Sequence, residues 1–330
     1  MARALVGDDV RVLILSSGKA GHEANCLGVA DALGAPYDKR VVQPRRLFAS
    51  LAPFGPLDPK DRADQPGSII GEPFPSIAIA CGRKTAPYLR ALKRIAGPKV
   101  FAVFLQDPRY ARREFDLIWT PEHDRLAGPN VIATLTSPHP FSRARLAALR
   151  ADPDPRIATL KPPRAAILLG GATAAQDLSN ADLGRLTEAV RAIVRQGFSV
   201  MATPSRRTTP AIIEAAQKGL VEADPARVFF WERSGDNPYG QMLAHSDAIL
   251  VTGDSVNMLG EAVATGAPVH IFDLSGESRR IKAFAAALVR KGVARLFEDR
   301  LESFAYEPID SSATIAQAIA SRFNAANPRS

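Results

Sequence analysis

Val251-Thr252-Gly253-Asp254-Ser255-Val256-Asn257-Met258-Leu259-Gly260-Glu261-Ala262 carries an apolar run into a glycine turn and straight out into a helical pattern. The residues leading to it, 248–251, are apolar without alternation, as in a strand buried on both faces. Gly253 supplies the turn, and Asp254 or Ser255 caps the helix that follows. A helix start of this kind offers backbone N–H groups and the positive end of a dipole, which suits phosphate. Glu261 stands nearly two turns further on, where a carboxylate can accept hydrogen bonds from both hydroxyls of a ribose or else lies on the solvated face of an ordinary capped helix. Gly266-Ala267-Pro268 then leads tightly into the next apolar run. Strand, turn, helix and strand in this order make the repeating unit of a parallel α/β sheet.

The same unit recurs in both directions. Upstream in the same half, strands read at 165–169, 199–202 and 228–231, and downstream at 269–272. The helices of that half read at 179–195, 210–218, 256–265 and 278–291. In the first half, strands read at 10–15, 77–80, 100–104, 116–119 and 131–134, with helices at 22–33, 84–96 and 142–149. Six prolines interrupt 51–75, a long irregular connection of the kind that is more often functional than inert. A second proline-rich stretch, 152–163, reads as a linker. The expected architecture is therefore α/β, with two doubly wound Rossmann-like domains at 1–155 and 156–310. A last helix, within 311–330, is expected to cross back to the first domain. Two such sheets with their strand ends face to face hold a ligand in the cleft between them.

Bulk properties narrow the classes. A chain of 330 residues suits two domains of about 150 residues each. No apolar run reaches the roughly 18 residues of a membrane helix, and no signal or transit peptide is legible at the start. Two cysteines make no disulfide framework, and no Cys/His cluster has zinc spacing, so a cytoplasmic protein without metal or tightly bound cofactor is expected. The net charge is +8, and residues 1–155 carry 22 Lys and Arg against 16 Asp and Glu. The excess sits in short clusters such as Lys39-Arg40, Arg45-Arg46 and Arg112-Arg113. These suit phosphates or an acidic lipid surface, or else form a solvated basic face. Nucleic acid is not expected as the main ligand, because no nucleic-acid motif and no aromatic-interleaved basic stretch is present.

The candidate site residues lie at strand ends. In the second half, Ile167-Leu168-Leu169-Gly170-Gly171-Ala172-Thr173 runs a strand into glycines whose N–H groups are expected to cradle an anion. Thr203-Pro204-Ser205-Arg206-Arg207-Thr208-Thr209-Pro210 delivers two guanidinium groups and a set of hydroxyls to a helix start. Thr252, Asp254, Ser255 and Glu261 complete that side, and Asn237-Pro238-Tyr239 opens a short helix nearby. In the first half, Ser16-Ser17-Gly18-Lys19-Ala20-Gly21-His22-Glu23 follows the first strand. His22 is a candidate base there, because an imidazole titrates at about 6.5, near working pH. Further strand ends deliver Cys81-Gly82-Arg83-Lys84-Thr85, then Gln106-Asp107-Pro108-Arg109, then Pro121-Glu122-His123-Asp124.

Taken as an ordered set, these segments resemble the "elongated mitochondria" (mitochondrial fission) family, over residues from about 11 to 300. The specificity lies in the order, since each short motif alone is common. Plant members of that family are implicated in mitochondrial division, and many bacterial members have no assigned activity. More distantly the layout is similar to glycosyltransferases of the B fold that build peptidoglycan and lipid A precursors. In those a glycine-rich loop with a Gly-His step opens the first domain, and a turn–helix with a late glutamate binds ribose in the second. Gly21-His22 and Ser255 to Glu261 are the positions that match. This chain departs in placing Lys19-Ala20 between its glycines and in carrying Ser205-Arg206-Arg207-Thr208.

The resemblance implies a metal-independent glycosyltransferase-like protein whose substrate is a nucleotide-sugar, UDP-linked or similar. A lipid-linked or envelope acceptor is implied too, with peripheral contact at the inner face of the membrane through the basic first domain. Arg206, Arg207 and the helix starts at Ser205 and Ser255 would neutralise the diphosphate, and Glu261 would hold ribose. His22 or Asp107 would activate the acceptor. Gly18, Lys19, Gly21, Arg83, Lys84, Arg109, Glu122, His123, Gly170, Gly171, Thr208, Asn237, Tyr239, Thr252 and Asp254 would line the ligand. The alternative implied is a non-catalytic scaffold or recruitment protein.

Overall fold

Apolar runs of this length need cover on both faces, and the computed structural model provides it twice. It describes residues 4–171, 178–275 and 278–327. In chain order the first elements are β1 Val12–Ser16, α1 Ala20–Leu33, β2 Tyr37–Val41, α2 Arg46–Leu51, β3 Ile77–Cys81, α3 Ala86–Ala96, β4 Phe101–Leu105, β5 Leu117–Pro121 and β6 Val131–Thr134. There follow α4 Arg143–Ala151, α5 Pro155–Ala158, β7 Arg164–Leu169, α6 Asn180–Arg195, β8 Ser199–Pro204, α7 Pro210–Gly219 and β9 Val228–Phe230. The last are α8 Tyr239–Ala244, β10 Ala248–Thr252, α9 Val256–Val263, β11 Val269–Phe272, α10 Arg279–Arg290, β12 Arg295–Leu296 and α11 Ser311–Ala326.

Two six-stranded sheets result, and every ladder in them is parallel. The first has the order β2-β1-β3-β4-β5-β6, the flavodoxin-like winding. The second has β12-β11-β10-β7-β8-β9, which is the 3-2-1-4-5-6 order of a dinucleotide-binding sheet. Strand order reverses between β1 and β3 in the first sheet and between β7 and β10 in the second. Ligands of such sheets bind outside the strand carboxyl ends at that reversal.

The chain divides into Met1–Ser142 with Asp310–Ser330, and Arg143–Ile309. In the first unit the side chains of β1 alternate between two cores. Val12 and Ile14 pack with α1 and α11, while Leu13 and Leu15 pack with α3. Each such fully buried aliphatic side chain contributes about 1.5–3 kcal/mol. α11 is pinned by its first turn: the Ser312 hydroxyl donates to His139 O at 2.7 Å and accepts from His139 N at 2.8 Å. In the second unit α6 and α7 cover one face of the sheet through Leu186, Val190, Ile193 and Ile212.

Two sequence readings are corrected here. The stretch 152–163 is no free linker, since it contains α5, and the units part ahead of it, at 142/143. α4, read as the close of the first domain, instead packs with the second. Arg150 Nε donates to Ala244 O at 2.7 Å, and Gln241 Nε2 donates to Asp152 O at 2.8 Å.

The proline-rich connection of the first unit is anchored on Asp58, which has no exposed surface. Its carboxylate accepts from Arg45 Nη2 at 2.7 Å, Arg45 N at 2.8 Å and Lys60 N at 3.2 Å. The bond from Arg45 holds its pKa down to about 2. Because the folded pKa is depressed, the stability it carries is present above the ordinary value near 4 and is lost as pH falls through about 2. Asp58→Ala is expected to destabilise the first unit by about 2 kcal/mol at neutral pH. That deficit should shrink in melting curves recorded toward pH 2.

Candidate functional site

At the reversal of the second sheet, β7 ends in Gly170-Gly171 and β10 ends in Thr252-Gly253-Asp254. Both strand ends are locked together. Gly170 N donates to Thr252 Oγ1 at 2.7 Å, Gly171 N donates to Asp254 Oδ2 at 2.8 Å, and Thr252 Oγ1 donates to Asp254 Oδ1 at 2.7 Å. The glycine amides are therefore taken up within the chain, Gly170 N by the Thr252 hydroxyl and Gly171 N by the Asp254 carboxylate, a correction to the expectation that they cradle an external anion. Only glycine fits at either position: a Cβ on Gly170 would lie 2.0 Å from Asp254 Oδ1, and one on Gly171 would lie 2.1 Å from Arg207 O. Ala172 and Thr173, quoted with these glycines, lie outside the described residues.

Asp254 and Ser255 have separate tasks. Ser255 caps α9, accepting from Met258 N at 3.4 Å. Asp254 faces the glycine loop, and burial raises its pKa, opposed by its bonds from Thr252 and Gly171 and by the charge of Arg207. Arg207 Nη2 stands 3.8 Å from Asp254 Oδ2.

After β8, Thr208 is buried and its hydroxyl donates to Leu169 O at 2.8 Å, while Ser205 Oγ lies 3.0 Å from Thr208 Oγ1. Arg233, absent from the sequence reading, braces the same loop: its Nη2 donates to Ser205 O at 2.7 Å and to Thr208 O at 2.8 Å. With Ser205 and Thr208 engaged internally, Arg206 and Arg207 extend from the loop as exposed cations. Thr209 precedes α7 without a side-chain cap bond, so the first amides of that helix lack that partner.

The structure brings Tyr239 and Glu261 together. Tyr239 Oη donates to Glu261 Oε2 at 2.6 Å, and burial pushes the Glu261 carboxyl up to about 7. Asn237 Oδ1 accepts from Tyr239 N at 3.0 Å, an Asx turn that starts α8.

In the first unit, Ser17 Oγ meets His22 Nδ1 at 2.9 Å. Gly82, at φ +95°, approaches the imidazole so closely that a Cβ would lie 2.4 Å from Nδ1. The loops after β1 and β3 thus meet at His22, on the reversal of the first sheet. Burial, and then the charge of Lys19, lower the His22 pKa and favour the neutral ring that accepts a proton. Ser16 Oγ donates to Glu23 Oε2 at 2.8 Å and accepts from Gly18 N at 3.1 Å, which fixes the turn. Gly18 and Lys19 stand exposed and Gly21 half-buried at the start of α1, whereas Lys84 is half-buried. Arg83 is spent on Ala52 O at 2.9 Å.

Asp107 does not share His22's setting. Arg112 donates to it through Nε and Nη2, each at 2.8 Å, and Arg109 N donates at 2.8 Å. The Arg112 bonds hold the Asp107 pKa down, which makes that carboxylate a poor base. Its loop is strained, with positive φ at Gln106, Arg109 and Ala111. Glu122 is exposed on the turn after β5, and His123 Nε2 lies 3.8 Å from Asp124 Oδ1. Among the described residues no three His, Cys, Asp or Glu side chains converge as metal ligands. No helix among them is long and apolar enough to cross a membrane.

Two parallel six-stranded sheets, each wound as a Rossmann-like domain, place the chain in the fold class of the B-type glycosyltransferases and nucleotide-sugar epimerases. Solved structures agree. The UDP-GlcNAc 2-epimerase of Methanocaldococcus jannaschii matches with a TM-score of 0.52 at 11% identity, over 94% of this chain and 98% of that one. The S. aureus MnaA–UDP co-structure matches with a TM-score of 0.50 at 13% identity, over 94% and 87%. The chain belongs to the mitochondrial fission ELM1 family, whose profile matches residues 20–323. Mitochondrial fission protein ELM1 of Arabidopsis thaliana is 29% identical over 272 residues, 74% of this chain. The match covers 63% of the plant protein, less than two thirds of its length.

Proposed function

We propose that the second unit binds a nucleoside-diphosphate sugar at the carboxyl ends of β7, β8 and β10, and that the protein acts on it as a metal-independent glycosyltransferase or as an epimerase. The observation that carries this reading is the junction of two exposed arginines, Arg206 and Arg207, with the sheet reversal at Gly170 and Thr252. Guanidinium forks suit a diphosphate, and charge on a departing diphosphate is the largest quantity such a site must stabilise. Glu261, already accepting one hydroxyl from Tyr239, has the chemistry to accept ribose hydroxyls. In the first unit His22, a neutral imidazole at the reversal of that sheet, is the group proposed to take up a proton. The solved neighbours named for UDP and UDP-GlcNAc support uridine nucleotides as the first ligands to test.

The occupied glycine amides favour a second reading, in which the fold persists as a scaffold that recruits a partner without turning over a nucleotide. Thermal shift with UDP, UDP-GlcNAc and other nucleotide-sugars separates the two. A ligand at 100 times its dissociation constant is expected to stabilise the second unit by about 2.7 kcal/mol, a rise of a few degrees. Arg206→Ala with Arg207→Ala should abolish that rise. Clean melting without any shift across the nucleotide set would sink the enzyme reading and leave the scaffold.

A further inference from the structure

Seven of the nine large apolar side chains exposed among the described residues lie in the first unit, and five of these, Leu47, Leu51, Phe54, Ile95 and Tyr110, come from α2, the segment after it, α3 and the loop after β4. α2 reads Arg46-Leu47-Phe48-Ala49-Ser50-Leu51, yet none of its residues is buried. Leu47 and Leu51 stand one turn apart on one side of it. Leu51 leans over Gly55, where an added Cβ would fall 2.6 Å from its own. The rings of Phe54 and Tyr110 meet edge-on with centroids 6.0 Å apart, and the Arg90 guanidinium lies 4.8 Å from the Tyr110 centroid. Gly55, Leu57, Pro87, Arg90, Arg94 and Ile95 line a shallow hollow of about 250 Å³ beside them.

The border of this patch is cationic. Arg46 adjoins Leu47, Arg109 adjoins Tyr110, and Lys99 lies four residues beyond Ile95. All three are exposed, and among the described residues no carboxylate lies within ion-pair reach of them. The carboxylates of the neighbourhood are spent internally. Asp58 holds Arg45, Asp61 accepts the Tyr88 hydroxyl at 2.5 Å, and Glu114 holds Arg94 at 2.6 Å.

We propose that this surface docks peripherally on an anionic lipid membrane. Leu47, Leu51, Phe54, Ile95 and Tyr110 enter the boundary between headgroups and acyl chains, and Arg46, Lys99 and Arg109 meet lipid phosphates. Apolar area and electrostatic attraction act together in such binding. A second copy of this chain is the poorer occupant, because a self-complementary contact would bring the cationic border against itself. The inference goes beyond the nucleotide reading and stands independently of it.

Co-sedimentation with vesicles of phosphatidylcholine, alone or mixed with phosphatidylglycerol, tests the proposal. The protein is expected to partition onto the mixed vesicles and to be released by salt. Leu51→Ser with Phe54→Ser, and separately Arg46→Glu with Lys99→Glu, should each weaken partition roughly tenfold or more. All four side chains are exposed, so melting curves should stay unchanged. Absence of partition onto the anionic vesicles, or partition that both double variants retain, would overturn the proposal. So would a dimer that Leu51→Ser with Phe54→Ser converts to monomer, since that result assigns the patch to a second copy.

Discussion

Gly28→Ala is expected to lower the melting temperature of the first unit by roughly 6–12 °C, the effect of about 3 kcal/mol in a unit of this size. Gly28 lies on the buried face of α1, and a Cβ there would meet His139 O at 2.3 Å and His139 C at 2.4 Å. Backbone has no rotamer with which to yield. His139 is in turn fastened to Ser312 at the start of α11, so relief requires α1 to move away from both. Gly184→Ala on α6 is the control, because a Cβ there meets nothing within 4 Å and the substitution should be neutral or slightly stabilising. A loss below about 2 °C for Gly28→Ala would show that α1 can shift cheaply. α1 also carries His22 near its start, so its displacement should disturb the contacts with Ser17 and Gly82.

Glu261→Gln should stabilise the second unit by about 3 kcal/mol at pH 8.5 and by less than about 1 kcal/mol near pH 5. Burial raises the folded pKa of Glu261 from 4.5 to about 7. With a raised pKa, the favourable contribution is full below the unfolded value and is lost as pH rises through about 7. Glutamine keeps an oxygen that can accept from Tyr239 Oη and carries no charge to desolvate, so the variant's melting curve should lack that decline. Parallel curves for both proteins from pH 5 to 8.5 would show that Glu261 is already well solvated. Ligand binding adds a second reading of the same group. Hydroxyl donors from a ribose favour the carboxylate, so nucleotide affinity should rise between pH 6 and 8 in the wild type and stay flat in Glu261→Gln.

The strands were legible wherever burial was two-sided. β1, β3, β4, β7 and β10 are apolar runs without alternation, and they form the centres of the two sheets. β2 escaped because Tyr37-Asp38-Lys39-Arg40-Val41 lies on an edge and is mostly exposed, so no apolar pattern marks it. The division of the chain escaped too, since prolines mark irregular backbone, and irregular backbone packs as well as it links. Within the site, sequence pointed to the correct strand ends but left the contacts between them hidden. Gly171 and Asp254 are 83 residues apart and Tyr239 and Glu261 are 22 apart, so no local window contains either bond. Arg233 was invisible for a further reason: its side chain holds two backbone carbonyls, a task that leaves no motif.

The return of α11 to the first sheet has a consequence for how the protein is made. Ile315, Ala316, Ile319, Ala320 and Phe323 belong to the same core as Val12, Ile14 and Val29. While the ribosome is still translating the second unit, that core lacks one wall, and its apolar floor stays open to water. The second unit, continuous from Arg143 to Ile309, has no such wait and can complete itself first. Birth order and folding order are thus inverted: the part of the chain synthesised earliest is the part sealed last.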